Sequence, residues 1–114
     1  MEIIALKLKE NFLDVICKVE STAVDDILSR QASHFTATAP LFVHFTPVQE
    51  NGHVVGHQPN MQPINTFTDS PSKDTMVFSM DDIFTAYRIS DKAENMYREA
   101  IGDVTIARNN IVMP

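Results

Sequence analysis

The sequence predicts a mainly β domain with an antiparallel sheet and a single C-terminal helix, and three observations carry that prediction. Residues 3–19 alternate apolar and polar side chains with period two on both sides of a Glu10-Asn11 turn. Asn51-Gly52 is the strongest turn dipeptide of the chain, because both residues accept the positive φ angles of a type I′ hairpin. Towards the C-terminal end the apolar period lengthens to that of a helix, with Ala93, Met96, Tyr97, Ala100 and Ile101 on one stripe.

Taken in order, the first two strands pair so that Leu8 faces Leu13, Leu6 faces Val15 and Ile4 faces Cys17, while the opposite side sets Lys7 against Asp14 and Ala5 against Ile16. One side is a core face. The other is mixed, as in a bent sheet whose outer surface is partly covered by a helix or a neighbouring subunit. Ser21-Thr22 followed by Asp25 resembles a capping box, and Val24, Ile27 and Leu28 recur at helical spacing, which predicts a short helix within 21–34. Residues 35–48 are rich in Thr, Val, Phe and Leu and read as a long strand, with bends or edge exposure where Pro40 and Pro47 remove ladder donors. The Asn51-Gly52 turn joins it to a strand over 53–57. Residues 58–74 carry Pro59, Pro63 and Pro71 among Asn, Gln, Thr and Ser, and read as an excursion with little regular structure.

Residues 75–78 and 83–89 flank Ser79-Met80-Asp81-Asp82, which is either a hairpin turn between strands or a helix start capped by Ser79. The period-two run of Ile83, Thr85, Tyr87 and Ile89 favours strands. The sheet thus occupies 1–89 and the helix 90–102, opened by an Asp91–Glu94 capping box and stopped by Gly102. Val104, Ile106, Ile111 and Val112 make the tail over 103–114 too apolar for a free end, which points to a further strand or an arm on a neighbour. The chain contains no internal repeat and reads as one domain over 1–114.

A chain of 114 residues with 44% hydrophobic side chains supports one core. At this length only about two thirds of the unfolded surface is buried, so an interface with a second copy adds useful stability. The formal net charge is −6, from 15 acids against 9 scattered bases. Polyanion binding needs cations gathered on one surface, so this balance opposes nonspecific nucleic-acid binding by a monomer, although a symmetric ring concentrates a few cations around one axis. Cys17, the single cysteine, lies inside an apolar alternation and reads as a packed thiol in a reducing compartment. The opening run Met-Glu-Ile-Ile-Ala-Leu-Lys, Met1 to Lys7, breaks its apolar residues with charge; it matches neither a signal peptide nor a membrane span, and a cytoplasmic location is expected.

Few residue patterns suggest chemistry. His53 and His57 have the spacing of a helical metal pair, but Val54-Val55-Gly56 between them belongs to a strand or loop, so no metal site is expected. His34 and His44 lack an acid or cysteine at a recognisable offset, and Asp25-Asp26 and Asp81-Asp82 read as solvating or capping carboxylates. With 3 glycines and neither a phosphate loop nor a nucleophile elbow, the chain is read as a non-enzyme without a cofactor.

In succession, the hairpin Met-Glu-Ile-Ile-Ala-Leu-Lys-Leu with Val15-Ile16-Cys17-Lys18-Val19, then Ala39-Pro40-Leu41-Phe42-Val43, Phe78-Ser79-Met80-Asp81-Asp82-Ile83-Phe84 and Asn95-Met96-Tyr97-Arg98-Glu99-Ala100-Ile101-Gly102 resemble the small Sm-like proteins encoded by phages, in particular a marine cyanophage group. The resemblance covers residues 1–102. It implies a small, strongly bent, five-stranded antiparallel barrel whose edge strands pair between subunits in a homo-oligomeric ring, pentamer to heptamer. It also implies binding of RNA or single-stranded DNA near the pore through the loops over 29–34 and 79–82.

Three features depart from the family pattern: the leading helix has no room, the Asp and Asn pattern of the first Sm motif is absent, and so is the Arg-Gly signature of the second. Nucleotide contacts are therefore not carried over one by one. Lys18, Arg30 and His34 are the candidate nucleic-acid contacts, chosen on charge and nearness to the implied pore, and Asp81-Asp82 at the same mouth opposes RNA. The competing expectation is a protein-interaction or assembly module that binds no nucleic acid, which suits the negative charge. An enzyme with a carboxylate-bound metal ranks third.

Overall fold

The computed structural model describes residues 1–102, and the tail over 103–114 lies outside the described residues. The chain opens with the hairpin of β1 (Glu2–Leu8) and β2 (Asp14–Val19). Its register is the one the alternation dictates: Ile4 opposite Cys17, Ala5 opposite Ile16, Leu6 opposite Val15 and Lys7 opposite Asp14. Leu8 N–H closes the turn on the Leu13 carbonyl at 2.8 Å, and Asn11 and Phe12 take φ of 58° and 49° to reverse the chain.

A 3-10 turn over Ser21–Ala23 leads into α1 (Val24–Leu28), which buries Val24 and Ile27. The capping box expected from Ser21-Thr22 and Asp25 does not form, since neither helical turn receives a side-chain cap bond. The short helix is held by its apolar face instead.

The long strand β3 (His34–Glu50) changes faces midway. Ile16 lies opposite Leu41 but Lys18 opposite Thr38, so β3 carries one residue more than β2 across this step. The bulge falls at Ala39-Pro40, where Ala39 has φ of 51° and Pro40 has no donor to give. Phe35 and Ala37 before the bulge pack with Ile4, Leu6, Val15, Cys17 and α1, whereas Ala39 and Leu41 after it pack with Ala5 and Ile16 on the opposite side. The bend expected at Pro40 is therefore also a switch between two cores.

Asn51 and Gly52 turn with φ of 53° and 81° into β4 (His53–Pro63). This strand extends well past residue 57, into what reads in the sequence as an irregular excursion, pairing from Glu50 opposite His53 to Leu41 opposite Pro63. It neighbours β3 alone, and Pro59 and Pro63 have the same parity, so one register turns both donor-less nitrogens toward the open side. Pairing of β2 with β3 stops at Val43, so the rest of the β3–β4 ribbon projects as a two-stranded arm.

A loop organised by Asp74, whose carboxylate accepts from Thr68 Oγ1 at 2.6 Å, passes through a 3-10 turn over Pro71–Lys73 to β5 (Thr75–Ser79). A further 3-10 turn, Met80–Asp82, with Ser79 Oγ accepting from Asp81 N–H, leads directly to β6 (Ile83–Tyr87). Ser79 thus caps a helical turn, and the strands expected on either side of it are present. The two strands nevertheless form no hairpin. β5 pairs with β3 and β6 with β1, at opposite margins of the path β6-β1-β2-β3-β5.

That connection determines the curvature. Four strand spacings of about 4.8 Å would separate the margins of a flat sheet by about 19 Å, whereas the four Cα steps from Ser79 to Ile83 reach at most ~14 Å when extended and less in a 3-10 turn. The sheet has to curl. It is an open six-stranded sheet, since β5 and β6 do not ladder with each other and β4 adds a strand to the five expected.

The inner side of the curl holds the larger core, covered by α1 and the Met80 turn. The other side is covered by α2 (Asp91–Ala100) through Tyr97 and Ile101, which accounts for the mixed outer face of the first hairpin. Ser90 rather than Asp91 is the N-cap, its hydroxyl accepting from Ala93 N–H, while Glu94 pairs with Arg98 at 2.9 Å. Gly102, with φ of 85°, ends the helix. Among the described residues no helix is long and apolar enough to cross a membrane.

Candidate functional site

The loop over 29–34 and the turn over 79–82, distant in sequence, share one end of the sheet. Met80 N–H donates to the Ser33 carbonyl at 2.9 Å, and His34 opens β3 opposite Ser79. Arg30 leaves α1 in a left-handed conformation, φ of 65°, and reaches across to the same turn. Its Nη1 donates to the Phe84 carbonyl at 3.1 Å and its Nη2 to the Met80 carbonyl at 3.4 Å. The His34 Nδ1 lies 3.0 Å from Ser33 Oγ. Arg30 and His34 are therefore neighbours on an exposed surface that also carries Asp81 and Asp82.

Lys18 is elsewhere. It stands on β2 between Ile3 and Thr38, and alternation along β2 puts it on the face of Ile16, the side covered by α2, while Cys17 and Val19 face the larger core. Two of the three candidate contacts are brought together and the third is separated from them by the sheet.

The histidine pair of the arm does not converge. His53 lies opposite Glu50 and His57 opposite Pro47, positions three apart on β3 and hence on opposite faces. Among the described residues no three His, Cys, Asp or Glu side chains gather where a cation would sit. Cys17 is fully enclosed, and burial pushes its thiol from 9.0 up to about 12, so it is protonated and inert while folded.

A cleft of about 330 Å³ opens between α2 and the outer face of the sheet, lined by Ile16, Val43, Met61, Tyr87, Ala93 and Met96. At its wall Lys7 Nζ lies 2.9 Å from Asp14 Oδ1 and 3.1 Å from Oδ2, and the Tyr87 hydroxyl donates to Oδ1 at 2.9 Å. Burial, followed by the hydrogen bond and negative charge of Asp14, raises the Tyr87 phenol from 10.0 to about 12. The Lys7–Asp14 pairing is legible in the hairpin register; the cleft is not, because it needs β4 to continue to Met61 and β6 to set Tyr87 opposite Ala5. The Asp14 and Tyr87 groups on its wall are held to each other and to Lys7, and the rest of the lining named above is apolar. No family model and no curated protein matches this chain.

Proposed function

We propose that this chain is a non-catalytic Sm-like protein that works in the cytoplasm as a homo-oligomeric ring of five to seven copies and holds single-stranded RNA or DNA on the surface formed by 29–34 and 79–82. The reading takes β1, β2, β3, β5 and β6 as the barrel strands and β4 as an added arm. The supporting observation is the pair of margins: β5 and β6 leave the two ends of one 3-10 turn, and the outer edge of each is unpaired among the described residues. An unpaired edge exposes a row of backbone donors and acceptors that invites another strand, and β5 of one copy laddering with β6 of the next removes both edges together. Apolar side chains accompany them, with Val77 64% exposed on β5 and Phe84 55% exposed on β6, where Phe12 meets its ring edge-on at 5.4 Å.

A second reading, an assembly module that binds no nucleic acid, draws support from the net charge of −6 and from the exposed Asp81 and Asp82 beside Arg30 and His34. Sedimentation together with anisotropy of labelled poly(U), poly(A) and single-stranded DNA at two salt concentrations separates the two. The proposal expects a closed oligomer whose binding weakens as salt rises. A ring that ignores every nucleic acid at low salt transfers the case to the assembly module, and a chain that stays monomeric at high concentration refutes the ring.

A further inference from the structure

We infer that Arg30 is a positioning residue that sets the curl of the sheet and, through it, the number of copies in the assembly; the inference rests on the ring reading above. One guanidinium binds both ends of the segment that carries the chain from one margin to the other. Met80 begins that segment, and Phe84 follows it at the register shift where Thr85 lies opposite Lys7 but Ile83 opposite Leu8. Phe84 is thus the extra residue of a bulge, and its carbonyl is met by Arg30 rather than by a strand. The same loop fixes the turn again through Ser33, and the first hairpin holds its far end through Lys9 N–H to the Asp82 carbonyl at 2.9 Å.

The planar fork of arginine keeps two acceptors at a set separation, which an ammonium on a flexible stem does not do. Small changes there have large consequences for a ring. Closure of a cyclic assembly requires a rotation between neighbours of about 72° for five copies, 60° for six and 51° for seven, so a change of roughly 10° alters the count. Over a lever of about two strand spacings that is a shift of about 2 Å, no more than the play gained when a two-point tie is released.

Native mass spectrometry and sedimentation velocity of the full chain, comparing wild type with Arg30→Lys, Arg30→Gln and a variant with one glycine inserted after Asp82, test the inference. The expected result is a single stoichiometry for wild type and a shifted or mixed stoichiometry for each variant, with near-wild-type secondary structure. Variants that assemble with the wild-type count overturn it, as do folded variants that only dissociate, since Arg30 would then hold the interface and not its angle. The insertion leaves Arg30 in place and frees the turn, so it carries the test if the Arg30 variants fail to fold. A wild-type chain that forms no ring removes the parent reading instead, a separate and recognisable outcome.

Discussion

Tyr97 ties α2 to the bulge of β3, and its two halves can be tested apart. The side chain is fully buried, its ring packing among Ala5, Ile16, Ala39 and Leu41 and its hydroxyl donating to the Ala39 carbonyl at 2.5 Å. Tyr97→Phe keeps the ring and strands a buried carbonyl at a residue already in a left-handed conformation, which should cost about 2 kcal/mol. Tyr97→Ala also empties the centre of the smaller core, at about 3–5 kcal/mol, a large part of the ~5–15 kcal/mol that holds a domain of this size. Urea unfolding followed by circular dichroism, at one fixed protein concentration so that assembly does not distort the comparison, measures both. Hydrogen exchange should show protection lost first in residues 91–101 and around Ala39, and last in β1 and β2. A Tyr97→Phe variant within about 0.3 kcal/mol of wild type would show that the hydroxyl does not pin the bulge, and the argument would fail.

The thiol and the arm supply two more tests. Cys17 and Tyr87 both have folded values near 12, above their ordinary 9.0 and 10.0. The stability this represents is complete below pH 9, where folded and unfolded chains are both protonated, and is lost as pH rises toward 12 because the unfolded chain ionises first; for Cys17 the loss is on the order of 4 kcal/mol. Cys17→Val should flatten the alkaline decline in unfolding free energy, and an unchanged profile would refute the assignment. Gly52 turns at φ of 81° with open space around a would-be Cβ, so Gly52→Ala should cost about 1 kcal/mol of backbone strain alone. Because the arm extends past β2, hydrogen exchange should quicken about fivefold in residues 44–57 and not in β1, whereas uniform quickening would mean that the arm unfolds only with the whole domain.

What the sequence discloses here is what is local. The β1–β2 register follows from period two and a closing turn, so it is legible pair by pair, and Asn51-Gly52 announces its own φ angles. Pro40 signals a bend, but the exchange of cores at Ala39 depends on how many residues β2 sets against it, which no local rule states. β4 runs through Pro59 and Pro63 because an edge strand has no ladder to lose on its outer side, so tertiary placement overrides propensity. Strands at 75–79 and 83–87 are legible and their partners are not, since Ile83 pairs with a residue 75 positions away. Arg30 is singled out in the sequence by its charge alone, so its two carbonyl partners at Met80 and Phe84 are not foreseeable, and Lys18, chosen on the same charge argument, stands across the sheet from it. The Asp91–Glu94 cap is displaced by one residue because Ser90, extended at ψ of 160°, offers its hydroxyl at the helix entrance.

The distribution of guards along the open edges bears on how copies meet. Apart from β3 beyond Val43, where it has left β2, three strands have an outer side without a partner among the described residues: β4, β5 and β6. Edge strands that are to remain solitary are usually blunted by proline, by charge or by a bulge. β4 carries Pro59 and Pro63, with the polar Gln58, Asn60 and Gln62 around them. β5, Thr-Met-Val-Phe-Ser, and β6, Ile-Phe-Thr-Ala-Tyr, carry neither proline nor charge. On β6 only the start is guarded, by the bulge at Phe84 whose carbonyl takes the Arg30 guanidinium. The protection found on β4 is missing from β5 and from β6 beyond its Phe84 bulge, and this is the feature of the margins that the ring reading would explain. On the proposed ring reading, the two edges belong to strands joined by one turn and differ in sequence, so another copy joined head to tail would satisfy both; a rotation that closes makes a ring and one that does not makes a filament.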